Sequence, residues 1–179
     1  DVYKRQNKSR IFSKLIKVEY KLKIDLVTKF LPSSPKIAFT QVGAGDLVIF
    51  IHGIGGNKEN WYQNMEVLSK NFNVVALDLR GYGESEDFLG PMNFSDVADD
   101  IQKLILYLGE KKCHVVGLSM GAQISLYFYE KYPDLTQSLV LCDAPLGFQD
   151  FTENEREKFI RLRSCLLYTS DAADEIQRV

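Results

Sequence analysis

Apolar runs alternate with amphipathic stretches along most of this chain. The runs at 47–51, 72–78 and 113–118 are mainly apolar on both sides, which is typical of strands buried in the middle of a parallel sheet. A strictly alternating segment at 18–26 predicts a half-exposed strand. The pattern predicts strands at about 18–26, 36–42, 47–51, 72–78, 113–118 and 138–145.

The stretches between the buried strands have the pattern of helices. Residues 94–108 place apolar side chains three and four positions apart on one face, and Gly109 ends this pattern. A shorter helix is expected after the run at 47–51, with Trp61 and Met65 on its inner face. The segment 122–132 is apolar nearly all round, which predicts a helix covered on several sides. Strands that alternate with helices predict an α/β fold with a mostly parallel, doubly wound sheet.

The composition is that of one globular domain. With 179 residues, of which 45% are hydrophobic, the chain is long enough to bury a sizeable core. The net charge of -2 and the absence of a basic run favour neither a nucleic-acid partner nor a membrane surface. Cys113, Cys142 and Cys165 are few and unclustered, so they predict reduced thiols in a cytoplasmic protein rather than a disulfide framework or a metal site.

Both ends of the chain look foreign to the rest of it. Residues 1–6 have the sequence obtained by translating the adapter DNA of transposase-based sequencing libraries. Residues 165–179 begin with the translation of the reverse complement of the same adapter. We therefore expect both segments to be adapter-derived and the natural part to span about 7–164, cut from a longer gene.

A Gly-x-Ser-x-Gly motif at 117–121 connects the run at 113–118 to an apolar helix. A strand that turns sharply into a helix needs small residues two before and two after the turn, and Gly117 and Gly121 supply them. Such a turn presents the Ser119 hydroxyl at a helix N-terminus, where N–H groups and the helix dipole favour developing negative charge. The motif alone is also typical of an ordinary Gly/Ser turn. The neighbouring motifs therefore determine whether it indicates a catalytic serine.

Two loops with glycines precede this motif. One has the sequence His-Gly-Ile-Gly-Gly at 52–56, and the other has Asp-Leu-Arg-Gly-Tyr-Gly-Glu-Ser at 78–85. A dinucleotide-binding loop would need glycine at position 58, where Lys58 stands, and no Gly-Lys-Ser/Thr follows to form a P-loop. In a parallel sheet both loops leave their strands at the carboxyl edge, which is the same edge as the serine motif.

In order and spacing, the motifs at 52–56, 78–85 and 117–121 resemble those of the α/β-hydrolase superfamily. The resemblance is to its lidded serine esterases, enol-lactonases and carbon–carbon bond hydrolases. It implies the α/β-hydrolase fold, with a mostly parallel sheet that is truncated here after about the sixth strand. It also implies that residues 7–150 form the N-terminal part of the core and that 151–164 begin a lid.

The resemblance implies roles for individual residues. Ser119 matches the nucleophile, which attacks an acyl carbonyl and forms an acyl-enzyme. The backbone N–H groups of Met120 and Ile54 match the two oxyanion-hole donors, with Gly55 as the alternative to Ile54. Asp78 and Arg80 match positions that shape the loop at 78–85. The residues that match supporting positions are His52, Gly53, Gly55, Gly117 and Gly121.

The family's histidine and acid lack clear counterparts in this chain, which has two histidines. His52 lies in the glycine loop, and His114 lies near the start of the central strand, at the opposite end from Ser119. Asp143 is a possible acid, although a turn residue is the simpler interpretation. A serine without a base is a poor nucleophile. We therefore expect this polypeptide to be inactive and its longer parent to be a serine hydrolase.

The resemblance implies a small ester, lactone or related acyl substrate, with no cofactor and no metal. Acyltransferases and cofactor-free haloperoxidases share the serine and stay open as alternatives. Dehalogenases and epoxide hydrolases would carry an aspartate where Ser119 stands. A non-catalytic homologue that binds a small ligand under its lid also stays open as an alternative of a different class.

Overall fold

The computed structural model describes residues 24–144 and, further along, 152–155, 157, 158 and 161. These residues contain a six-stranded sheet with the order β1-β2-β4-β3-β5-β6. The strands β3 to β6 run parallel to one another, and β1 and β2 are antiparallel at one edge. The predicted α/β class and the mostly parallel sheet are therefore confirmed. The strands are β1 (Thr28–Leu31), β2 (Ile37–Val42), β3 (Leu47–Ile51), β4 (Asn73–Leu77), β5 (Cys113–Leu118) and β6 (Thr136–Cys142).

Helices occupy the connections between the parallel strands. The side chains of Asn57 and Asn93 cap the first 3-10 turn and the second α-helix, because each accepts an N–H group that has no partner inside its helix. None of the helices in the described ranges is long and apolar enough to cross a membrane. The helices are α1 (Tyr62–Leu68), α2 (Phe94–Tyr107) and α3 (Met120–Lys131), with 3-10 turns at Lys58–Trp61 and Pro133–Leu135.

The sheet has a hydrophobic layer on each face. Ile49 and Val75 belong to the layer that contains α2 and α3. Their neighbours Val48 and Val74 belong to the other layer, where Met65 of α1 packs. Successive side chains of a strand point to opposite faces, so a strand covered on both faces must be apolar at every position. This requirement explains why the runs of the central strands are mainly apolar.

Helix α2 buries the apolar face that its sequence pattern predicts. The residues of this face are each at most 1% exposed, whereas Leu106 on the opposite side of the helix is 60% exposed. The apolar face of α2 packs against both the sheet and α3. The buried residues are Val97, Ala98, Ile101, Leu104 and Ile105.

The first strand lies further along the chain than the alternating pattern predicts. Residues 24–26 are not in a strand, β1 spans Thr28–Leu31 instead, and the predicted part at 18–23 lies outside the described residues. Leu31 pairs with Ile37 and Thr28 pairs with Thr40 across a short turn. The turn therefore decides which residues reach β2, because only those immediately before it can join the antiparallel ladder.

The expectation that the helix at 122–132 is covered on several sides is wrong for one of its faces. Helix α3 begins at Met120, and its inner residues Ile124 and Phe128 are fully buried. Its outer residues Tyr127 and Tyr129 are 42% and 49% exposed. The helix packs against the sheet and α2, and the aromatic side chains on its remaining face lie at the surface of the described chain.

We expect Ile101→Ala to lower the free energy of unfolding by about 2–5 kcal/mol, because it leaves a cavity between α2 and the sheet. The matched control is Leu106→Ala on the exposed side of the same helix, which should change the stability by less than about 0.5 kcal/mol. Urea denaturation of the two variants measures both values. Equal effects would contradict the orientation of α2.

Candidate active site

A sharp turn at Ser119 connects β5 to α3. Ser119 has φ 53° and ψ -114°, a conformation that residues with a side chain rarely adopt. A Cβ atom on Gly117 would collide with the carbonyl group of Gly121, and one on Gly121 would collide with the carbonyl oxygen of Ile51. The Ser119 N–H donates to the Cys142 carbonyl at 2.8 Å, which ties the turn to the end of β6. The predicted need for small residues on both sides of the serine is therefore met.

The serine lies at the N-terminus of α3. Its carbonyl accepts N–H groups from Ala122 at 3.0 Å and Gln123 at 3.2 Å, so the helix begins directly after it. Met120 is the first helical residue, and its N–H belongs to the first turn, which has no acceptor inside the helix. The Met120 side chain is 8% exposed, so packing anchors this first turn. The geometry offers a backbone donor and the positive end of a helix dipole beside Ser119.

The loop that follows β3 lies directly against this turn. A Cβ atom on Gly53 would be 3.1 Å from the Leu118 carbonyl oxygen and 3.2 Å from the Ser119 Cβ. The loop closes with a hydrogen bond of 3.1 Å from the Gly56 N–H to the Gly53 carbonyl. The Ile54 side chain between them is 47% exposed. The structure therefore brings the predicted donor loop and the predicted nucleophile together.

His52 is fully buried and supports the loop on both sides of its ring. Its Nε2 accepts the Leu79 N–H at 3.1 Å, so the proton of the neutral ring is on Nδ1, which donates to the Gly53 carbonyl at 2.8 Å. Burial lowers the pKa of His52 below its ordinary value, although the hydrogen bond to Gly53 opposes this effect. Both ring nitrogens are engaged, which leaves neither of them to accept a proton from Ser119.

The other histidine lies far from the serine. His114 is the second residue of β5, and its Nδ1 is 2.7 Å from the Ser138 Oγ. Ser119 follows the last residue of the same strand. Five residues of extended chain span about 17 Å at about 3.3 Å per residue, so the structure does not bring His114 to Ser119.

Asp143 leaves β6 at the same edge of the sheet as Ser119. It directly follows Cys142, whose carbonyl accepts the Ser119 N–H, and it has a positive φ of 49°. Its side chain is exposed. The backbone position agrees with both interpretations of this residue, as an acid and as a turn residue, so its catalytic role stays a prediction.

Two buried ion pairs shape the loop after β4. The Asp78 carboxylate accepts the N–H of Lys58 at 2.6 Å, the Nζ of Lys58 at 2.9 Å and the N–H of Glu84 at 2.9 Å. Arg80 donates through Nε and one terminal nitrogen to both carboxylate oxygens of Asp100, at 2.8 and 2.9 Å. These contacts agree with the role in shaping the loop that the family resemblance implies for Asp78 and Arg80.

Sequence reasoning missed Lys58 as a part of the site. Its side chain is 2% exposed and also donates to the Glu84 carboxylate at 2.6 Å. Burial alone would lower the pKa of Lys58, but the hydrogen bonds with Glu84 and Asp78 raise it above its ordinary value. The hydrogen bond from Lys58 lowers the pKa of Glu84. No sequence signal indicates this residue, because lysine is almost always a surface residue.

Comparison with known proteins finds relatives that are similar to this chain in sequence. The chain is 38% identical over 113 residues to 2-(acetamidomethylene)succinate hydrolase of Mesorhizobium japonicum, covering 63% of this chain and 39% of the relative. It is 34% identical over 116 residues to the dihydrolipoyllysine-residue acetyltransferase component of the acetoin cleaving system of Cupriavidus necator, covering 64% of this chain and 31% of the relative.

The structural comparison agrees with the sequence comparison. The crystal structure of an E-2-(acetamidomethylene)succinate hydrolase matches with a TM-score of 0.69 and 31% identity, over 82% of this chain and 53% of that one. The chain thus spans well under two thirds of the length of these relatives. A family model for the α/β-hydrolase fold matches residues 46–174. On this match, and on the fold that agrees with it, the chain belongs to the α/β-hydrolase fold family.

Proposed function

We propose that Ser119 is the nucleophile of a hydrolase that cleaves a small ester, lactone or related acyl compound. The observation that carries the proposal is the backbone of Ser119, which has a strained φ of 53° at the first turn of α3 and lies against the loop at 53–56. Strain of this kind persists only where the surrounding structure enforces it, and it is concentrated at functional sites.

In the proposed reaction the Ser119 Oγ attacks the acyl carbonyl carbon and the carbonyl oxygen becomes an oxyanion. The N–H groups of Met120 and Ile54 stabilise this charge. Collapse of the tetrahedral intermediate expels the alcohol and leaves an acyl group on Ser119. Water then attacks the acyl-enzyme and releases the acid. The serine proton must pass to a base, which takes it in the first step and returns a proton to the leaving alcohol.

We propose that this base and its acid lie in a longer parent protein. The two histidines of the chain support this proposal, because the ring of His52 is fully engaged and His114 lies at the far end of β5. In this proposal 7–150 are the N-terminal part of the core and 151–164 begin the lid, while 1–6 and 165–179 are adapter-derived.

A non-catalytic role is the second candidate function. The engagement of both ring nitrogens of His52 favours it, because a fold of this kind without a histidine base would bind a ligand at the serine without converting it. The two candidates differ in one observable, which is whether the complete protein turns over an acyl substrate. An acyltransferase would be recognised in the same experiment by an acyl product formed on an added alcohol.

We expect the protein of the complete gene to hydrolyse p-nitrophenyl acetate and Ser119→Ala to reduce kcat by about 10⁴-fold or more, because the nucleophile is lost. The matched control is Ser34→Ala, an exposed serine in the turn between β1 and β2, which should leave kcat unchanged. Release of p-nitrophenol measures both rates. Ligand binding without turnover in the wild type would support the non-catalytic role instead.

We expect the present chain of 179 residues to hydrolyse the same ester no faster than its own Ser119→Ala variant. The physical reason is that neither histidine can take the serine proton, because both ring nitrogens of His52 are engaged and His114 lies at the far end of β5. The measurement is the same release of p-nitrophenol, at high protein concentration. Turnover that depends on Ser119 in this chain would contradict the expectation, because it would show that the chain itself supplies a base to Ser119.

A further inference from the structure

The loop at 53–57 is attached at both ends to the segment that follows β4. At its beginning, the Nε2 of His52 accepts the N–H of Leu79 at 3.1 Å. At its end, Lys58 binds the carboxylate of Asp78. The loop therefore runs between two buried contacts, which are made to the neighbouring residues Asp78 and Leu79 at the end of β4. The position of any backbone group between them depends on both attachments.

Lys58 donates hydrogen bonds to the Asp78 carboxylate from both its backbone and its side chain. Its backbone N–H donates to the Asp78 Oδ1 at 2.6 Å, and its ammonium group donates to the Asp78 Oδ2 at 2.9 Å. The lysine and aspartate side chains are 2% and 0% exposed. Hydrogen bonds in which the donor or the acceptor is charged are shorter and stronger than neutral ones, and Lys58 donates two such bonds to Asp78. This double contact fixes the backbone of Lys58 relative to β4.

The attachment at Lys58 is transmitted back into the loop by short polar contacts. The Asn57 N–H donates to the Asn60 Oδ1 at 2.8 Å, and the Asn57 Oδ1 accepts the Glu59 N–H at 2.9 Å. A Cβ atom on Gly56 would lie 2.6 Å from the same Asn60 oxygen, so the loop packs tightly on this turn. Residues 56–60 consequently form one hydrogen-bonded corner that contains Lys58.

Charge explains why a lysine is suited to this position. The buried Asp78 carboxylate needs a cation, and the ammonium group of Lys58 also reaches the Glu84 carboxylate at 2.6 Å. Glu84 in turn accepts the Thr28 hydroxyl at 2.8 Å, which connects the cluster to β1. A charge buried without a partner would be strongly destabilising, so Lys58 and Asp78 depend on each other, whereas the Glu84 side chain is 54% exposed.

We propose that Lys58 is a positioning residue for the oxyanion hole. By holding the corner at 56–60 against Asp78, it sets the Ile54 N–H relative to Ser119. Because the Lys58 side chain is 2% exposed and both of its contacts are carboxylates, it acts through the loop and touches no substrate. This inference rests on the proposed function, because it assigns the loop the task of stabilising an oxyanion.

The first test measures amide hydrogen exchange on the present chain. In Lys58→Met, the amides of residues 54–57 should exchange about 10-fold faster or more, whereas those of β3, β4 and β5 should keep their wild-type rates. The matched control is Lys36→Met, which removes an exposed lysine paired with Glu86 and should change neither group of amides. Unchanged loop amides in Lys58→Met would overturn the proposal.

An equal acceleration in the strands of Lys58→Met would also overturn it, because Lys58 would then stabilise the whole fold. If Lys58→Met does not fold, the double variant Lys58→Met/Asp78→Asn replaces it, since that pair leaves no unpaired buried charge. The same selective acceleration of the loop amides is expected for the double variant, and its absence would count against the proposal.

The second test uses the protein of the complete gene. A donor that acts only in the transition state affects kcat, so a displaced Ile54 N–H should lower kcat by about 10- to 100-fold with KM within about twofold of the wild type. Wild-type kcat in a folded Lys58→Met would overturn the proposal. If the wild type itself shows no turnover, the proposed function fails, whereas the hydrogen-exchange test still decides whether Lys58 positions the loop.

Discussion

The close approach of helix α3 to the carboxyl ends of β3 and β5 is the constraint on which the site depends. Gly117 and Gly121 permit it, because a side-chain carbon at either position would collide with backbone. The helix can then begin immediately after Ser119, and the serine adopts a positive φ. The apolar strands and the buried face of α2 hold this arrangement in place, so stability and site geometry come from the same core.

A second layer of polar contacts organises the loops at this edge. His52 contacts the segment after β4 through a neutral ring, whereas Lys58 contacts it through a charged group. Arg80 and Asp100 connect the same segment to α2. Each of these groups is buried and hydrogen-bonded, as buried polar groups must be if they are not to destabilise the fold. They connect the loops at the carboxyl edge of the sheet to one another and to α2.

Local steric rules made the sheet class and the sharp turn at Ser119 predictable from the sequence. The glycine spacing around Ser119 and the apolar runs each reflect constraints that act within a few residues. Contacts between distant residues were not predictable: Lys58 lies 20 residues from Asp78, and nothing near it in the sequence indicates burial. The position of β1 depends on a turn, and the exposed face of α3 depends on which surfaces surround the helix. The sequence pattern within one segment shows neither which distant residues it contacts nor which surfaces cover it.

The central claim is that Ser119 is an activated nucleophile in the complete protein. Its most direct test is reaction with a fluorophosphonate, in which the serine oxygen attacks phosphorus and displaces fluoride, followed by peptide mapping in a mass spectrometer. The account predicts one stoichiometric adduct on the peptide that contains Ser119, and no such adduct in the 179-residue chain. An active protein that leaves Ser119 unmodified, or that carries the adduct on another residue, would contradict it.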